Sequence, residues 1–419
     1  MKKTLLSVLT LSAAACTHDI AEFDRVDVKT ARSLDILYVF DNSIDNSSWD
    51  EMASQLDVLQ QKLTAIDGQL PSLHVGVTTA DLGLKGTEDA GAPPSLRNCN
   101  GNGDGGRLLR FGASITADYL EDLRAPGGQR QRNYTGALGD ELAALTNPVT
   151  ATGCEISQPL EAMRRALDPA TNPGFVRDDA QLMVVFLTTE DDCSAKTSAL
   201  FDPNNPALGP SLAFRCTEQG VVCDPDDPRT PGRKVGCRPR EGSPFMVDVS
   251  EYQSFLTALK PGPGDVTISA AAGPRGDFLV EDFGVPVLLP SCRGPSGVAR
   301  PAVRLGALVD AFGGGLADAC TQADAYGQVS QPYVRAQRSC FPNLLQTDGN
   351  NCRVIETIAD TSTTLSPCGP GVSAPCWNLY TDAAECPGGD NVGISIDRGR
   401  TAAPETSSIQ ATCFVDRRE

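Results

Sequence analysis

Leu34–Phe40 reads LDILYVF, seven residues in which Asp35 is the one charged side chain among aliphatic and aromatic neighbours. Such a run is the pattern of a strand buried on both faces, as in a parallel sheet covered by helices. Leu73–Thr79 (LHVGVTT) and Leu182–Thr188 (LMVVFLT) repeat it, and Asp265–Ala272 (DVTISAAA) supplies a fourth strand. Helical stripes lie between them. Met52, Leu56, Leu59 and Leu63 recur at steps of three and four within Trp49–Leu63, as do Ile156, Leu160, Met163 and Leu167 within Ile156–Leu167. Tyr252–Leu259 and Val303–Phe312 read as two further helices. Strands alternating with helices predict βαβ units and an α/β fold, doubly wound around a mostly parallel sheet.

Composition bounds the rest. The chain has 419 residues, 40% of them hydrophobic, enough for one large domain or two to three ordinary ones. Its 53 acidic and 35 basic side chains give a net charge of -18, which argues against nucleic acid as a partner. Only two histidines occur, His18 and His74, so chemistry needing a histidine base beside a histidine ligand has almost no material.

At the N-terminus Lys2 and Lys3 precede an apolar stretch from Leu5 to Leu11, and Ser12-Ala13-Ala14-Ala15 leads to Cys16. That order is a secretory signal peptide, and the apolar run falls short of the roughly 20 residues needed to span a bilayer. Small residues before a cysteine resemble a bacterial lipoprotein cleavage site, with Ala13 where Leu is usual. The resemblance implies lipidation of Cys16, export, and attachment to a membrane, preferably the outer one. The alternative is an ordinary cleavage site with Cys16 in a disulfide. Setting Cys16 aside leaves fourteen of the 15 cysteines, an even number suited to seven disulfides in an oxidising compartment. None forms a Cys-x-x-Cys pair, which speaks against structural zinc.

The expected organisation is a signal peptide over 1–15, a lipid-anchored polar tether over 16–33, and the α/β domain over 34–338. A Pro-, Asp- and Gly-rich insertion with Cys216, Cys223 and Cys237, lacking a core of its own, interrupts that domain at about 194–244. A disulfide-rich β extension covers 339–419.

The first strand runs into Asp41-Asn42-Ser43-Ile44-Asp45-Asn46-Ser47, at the edge where open parallel sheets bind ligands. This loop resembles the D-x-S-x-S loop of the von Willebrand factor type A domain, with Asp45 where the second Ser belongs. VFLTTEDDCS (Val185–Ser194), GCEISQPLEAMRRAL from Gly153 and the run Phe255–Pro274 resemble later parts of the type A domains of bacterial lipoproteins, giving a likeness over Leu34 to about Arg338. What the resemblance implies is a metal-ion-dependent adhesion site. Asp41, Ser43 and Asp45, with Glu190 or Asp191, would hold Mg2+, Mn2+ or Ca2+, hard cations that take oxygen ligands. The family's strand-end Asp is Thr189 here, and Cys154 or Glu155 stands where its middle-loop Thr is expected. The alternative is that these residues cap a helix without metal.

Other motifs are weaker. Asn98, Asn100, Asn102 and Asp104 alternate like part of a calcium loop that lacks its closing Glu, so a cystine-tethered turn is the simpler reading. Arg275-Gly276-Asp277 is a chance tripeptide in a chain this rich in those residues. Asp191-Asp192 reads as an acidic turn rather than a hydrolytic pair. The function expected is therefore binding of a protein ligand, in interaction or adhesion. A metal-free structural envelope protein is the alternative, ahead of a metal-dependent hydrolase.

Overall fold

The computed structural model describes residues 23–29, 32–43, 59–64, 66, 70–88, 99, 101–110, 115, 117–125, 129–146, 152–209, 211–260, 262, 264–295, 297–321, 325–343, 351–399 and 407–415. The chain opens with β1 (Phe23–Val28), β2 (Leu34–Phe40), β3 (Leu73–Thr79), β4 (Leu120–Arg124), β5 (Arg130–Arg132), α1 (Leu138–Thr146), α2 (Pro159–Ala166) and β6 (Gln181–Leu187). There follow α3 (Leu212–Gly220), β7 (Val221–Asp224), β8 (Gly232–Pro239), α4 (Val249–Leu259), β9 (Val266–Ala272), β10 (Phe278–Asp282), β11 (Pro286–Leu288), β12 (Cys292–Gly294), β13 (Gly297–Ala299), α5 (Val303–Ala311), β14 (Leu316–Asp318) and α6 (Ala325–Gln337). The C-terminal part adds β15 (Ser339–Cys340), β16 (Cys352–Ile358), β17 (Thr361–Pro367), β18 (Cys376–Thr381), β19 (Val392–Asp397) and β20 (Ser407–Phe414).

The four apolar runs become β2, β3, β6 and β9, and every residue of each is buried. They lie in a seven-stranded sheet of order β14-β9-β6-β2-β3-β4-β5. The strands from β14 to β3 run parallel, and β4 and β5 are added antiparallel. Alternate side chains enter two cores. Ile36, Tyr38 and Phe40 point to a layer containing α1 and α6 residues, whereas Leu37 and Val39 meet Leu160, Met163, Leu256, Leu305 and Leu308 from α2, α4 and α5. Asp35 tolerates its place in β2 because Arg177 satisfies it twice, Nε to Oδ1 and backbone N to Oδ2, both at 2.8 Å. Gly76 in β3 leaves room for a ring: a Cβ there would stand 2.8 Å from Phe175 Cε2.

The expectation of a doubly wound α/β molecule is corrected by what surrounds this sheet. Among the described residues strand outweighs helix, 34% against 21%, and most strands lie in mixed or antiparallel sheets stitched by disulfides. Strands β1, β20, β16, β17, β18, β19 and β15 form a second seven-stranded sheet in that order, around Val354, Trp377, Ile394, Ile396, Ile409 and Phe341. Its ends approach one another, with Lys29 N donating to Ser339 Oγ at 2.8 Å.

The tether expectation is also corrected. Phe23–Val28 pairs antiparallel with β20 from Phe23↔Phe414 to Val28↔Ile409, and the inward Asp24 accepts bonds from Asn343 N and Nδ2. The insertion, too, shares a core: β7 and β8 join β10 and β11 in a four-stranded sheet over Phe214, Val221, Phe278, Val280 and Leu288.

Fourteen cysteines form seven disulfides: Cys99–Cys154, Cys193–Cys216, Cys223–Cys237, Cys292–Cys320, Cys340–Cys386, Cys352–Cys413 and Cys368–Cys376. A chain so bridged belongs to an oxidising compartment, and the protein is an exported one. No helix among the described residues is long and apolar enough to cross a membrane. Cys16 and the stretch expected to be a signal peptide lie outside the described residues.

Candidate functional site

Directly after β2, Asp41 is buried at the carboxyl edge of the central sheet. Its Oδ1 accepts from Ser43 N at 3.1 Å and its Oδ2 from the Thr188 hydroxyl at 2.9 Å. Thr188 follows β6, the neighbouring parallel strand, so the pairing of β2 with β6 brings the two loops together. Asp45 lies outside the described residues.

The three acids after Thr189 serve different ends. Glu190 is half-buried and meets Arg300, Nη1 to Oε2 at 2.7 Å. Burial pushes its carboxyl up to about 7 against the pull of Arg300, with the nearby charges of Asp41 and Asp191 adding to the rise. Asp191 caps α5. Its oxygens accept from the backbone N–H groups of Val303, Arg304 and Leu305 at 3.0 to 3.1 Å, where the helix presents unpaired donors and the positive end of its dipole. Burial raises this carboxyl to about 6, with those same bonds opposing the rise. Asp192 accepts from Leu160 N at 3.0 Å, near the start of α2, and pairs with Arg304 at 3.0 Å, both side chains fully buried. Arg304 goes on to donate to Val247 O at 2.6 Å.

This changes the ligand set expected for a cation. Asp191 caps a helix, with both its oxygens accepting from backbone donors. Glu190 is held by a guanidinium, a positive charge already standing where a divalent ion would require more negative charge. Asp41, Ser43 and Thr188 are brought together, but Asp41 alone among them carries a carboxylate. Of the expected ligands, the described residues place Asp41 and Ser43 together, Glu190 against Arg300 and Asp191 on the α5 backbone. Two other groups bring Cys292, Asp318 and Cys320, and Cys368, Cys376 and Asp397, close enough for metal ligation. Their sulfurs are joined to each other in disulfides and offer no thiolate.

Elsewhere, Asp104 accepts from the Thr79 hydroxyl, while Asp104 N donates to Asp81 O at 2.9 Å, so the Asn-rich stretch closes on the end of β3. Asn98 and Asn100 lie outside the described residues. Cys154 is bound to Cys99, and Cys154 N donates to Asp81 Oδ2 at 3.1 Å. Arg275 pairs with Asp310 and Asp277 with Arg233, so the charged ends of the Arg-Gly-Asp tripeptide are both engaged within the molecule. His74 is buried, and Nδ1 lies 2.9 Å from Phe175 O. Since a carbonyl only accepts, Nδ1 carries the proton. Burial first, then the charge of Arg177, lowers the ring to about 4.

Beside the Glu190–Arg300 pair opens a cleft of about 630 Å3, its mouth included, where the 194–244 insertion meets the central sheet. Phe214, Val287 and Leu288 furnish apolar wall, and Glu155, Ser157 and Thr217 polar wall. Sequence patterning missed Arg300, Arg304 and, Glu155 apart, these lining residues. Its one accessible signal was the pair of arginines four apart around the start of α5, on the face that reaches the acids after β6.

No family model matches the chain, and no curated protein does. Among solved structures it is similar to the adhesive tip pilin of Group B Streptococcus agalactiae, at 10% identity and a TM-score of 0.31 over 95% of this chain and 82% of that one. It is similar also to a pilus adhesin of Lactobacillus rhamnosus GG, at 8% identity and a TM-score of 0.31 over 93% of this chain and 40% of that one. Likeness at that level fixes neither fold nor activity.

Proposed function

We propose that this exported protein is a binding module that engages another protein through the cleft at the carboxyl edge of the central sheet, anchored to the membrane by a lipidated Cys16. The observation that carries the reading is the cleft itself: an apolar wall and a polar wall converge at the sheet edge where open sheets bind ligands. Binding proceeds without a resident cation, since Arg300 already furnishes the positive charge beside Glu190 and Asp191 is consumed by α5.

A photo-crosslinking amino acid at Thr217, in the cleft wall, and another at the exposed Val372, in the C-terminal part, test the reading in intact cells. The expected result is a protein adduct at 217 and none at 372, with yield unchanged by EDTA. No adduct at 217, or equal adducts at both positions, overturns it.

A further inference from the structure

The cleft holds more acceptors than the fold uses. Ser157 is 3% exposed, lines the cleft, and its Oγ has no hydrogen-bond partner among the described residues. A hydroxyl buried without a partner costs about 1–3 kcal/mol unless something bonds it. Glu155 is exposed at the same wall and forms no ion pair among the described residues. Glu190 bonds Arg300 through Oε2, which leaves Oε1 for a ligand. Asp191 and Asp192, the other acids of the cleft, are matched by the α5 backbone and by Arg304.

We infer, on the protein-binding reading above, that the cleft receives a lysine side chain from a basic segment of the partner. The aliphatic stem lies along Phe214, Val287 and Leu288, and the ammonium bonds Glu155, Glu190 and Ser157 Oγ. Three donors then meet three acceptors. Burying the stem while the charged tip stays on polar groups is the ordinary behaviour of lysine at an apolar surface. An acidic side chain fits worse, because Arg300, the cation lining this cleft, is already paired. The chain's net charge of -18 favours a basic partner at long range as well.

Fluorescence anisotropy with a labelled peptide of six lysines tests the inference on the intact, disulfide-bonded protein. The same peptide with every lysine Nε-acetylated, and a peptide of six glutamates, are the comparisons. The variants are Glu155→Gln with Glu190→Gln, Thr217→Trp to fill the mouth without changing charge, and the charge-matched pair Asp360→Asn with Asp397→Asn on the C-terminal sheet. Binding is expected to weaken at least about tenfold in the cleft double variant and in Thr217→Trp. In the control pair it should change by less than about twofold. Acetylation should abolish it. Equal weakening in the control pair, undiminished binding in Thr217→Trp, or preference for the acetylated or glutamate peptide overturns the inference. Should the cleft double variant lose its thermal midpoint, Thr217→Trp still decides. A partner crosslinked at 217 with no lysine preference removes the lysine assignment and leaves protein binding in place; no crosslink removes both.

Discussion

Arg304 and Asp192 are both fully buried, and each leans on a different part of the fold: Asp192 on α2, Arg304 on Val247 and on the end of α3 through Gly220 O. Removing one partner strands the other's charge in a dry interior. Arg304→Leu is therefore expected to lower unfolding free energy by about 3–5 kcal/mol in urea denaturation, and adding Asp192→Asn should restore part of it. His74 makes a second prediction, with a sign set by its environment. Its folded value of about 4 lies below the ordinary 6.5, so the unfolded chain binds the proton more readily. Stability is full above 6.5 and declines as pH falls toward 4, by about 3 kcal/mol over the window at 1.36 kcal/mol per unit. His74→Asn, whose Nδ2 can donate to Phe175 O, should remove that share; equal pH slopes for wild type and variant between pH 7 and 4.5 would refute the assignment.

At the scale of elements, what was legible followed burial. β2, β3, β6 and β9 are buried along their whole length, so their apolar density announced them within one residue at either end. The helices α2, α4 and α5 showed as stripes for the same reason. β4 and β5 were illegible because LEDLR and RQR carry charges that the fold pairs internally, Arg130 to Asp122 at 2.7 Å. β1 hid in a supposed tether because its inward Asp24 is satisfied by Asn343, which lies 319 residues away. The site was half legible by the same logic. The TEDD run signalled importance, but an acid that caps a helix, one that pairs a buried arginine and one that lines a cleft look alike in sequence until their partners arrive from Arg300 and the first turn of α5.

For the whole molecule, the two large sheets are coupled through α6. Gln331 Nε2 and Arg335 Nε donate to Ala384 O, and Arg338 pairs with Glu385 at 2.6 Å. Cys340–Cys386 fastens the same junction. Deleting residues 23–29 leaves β20 with an unpaired edge and removes Val28 from the core. Loss of that side chain alone costs about 1.5–3 kcal/mol, and an open edge invites association between copies. The truncated protein is expected to show faster hydrogen exchange across 407–414 and a tendency to aggregate, with the central sheet's protection retained; unchanged exchange there would show that β1 is dispensable.

β1 joins β20 across nearly the full chain, with Asp27 and Gln410 in contact 383 residues apart. Contacts of such separation form slowly, because the ends must find each other after everything between has emerged. During export the chain leaves N-terminus first, so the segment that will become β1 reaches the oxidising side while its partner is still inside. The C-terminal sheet therefore cannot close, nor Cys352–Cys413 be set in its final place, until β20 has crossed. Until β20 arrives, β1 and β16 each have an edge without its partner, so the C-terminal sheet closes later than the central sheet has the strands to form.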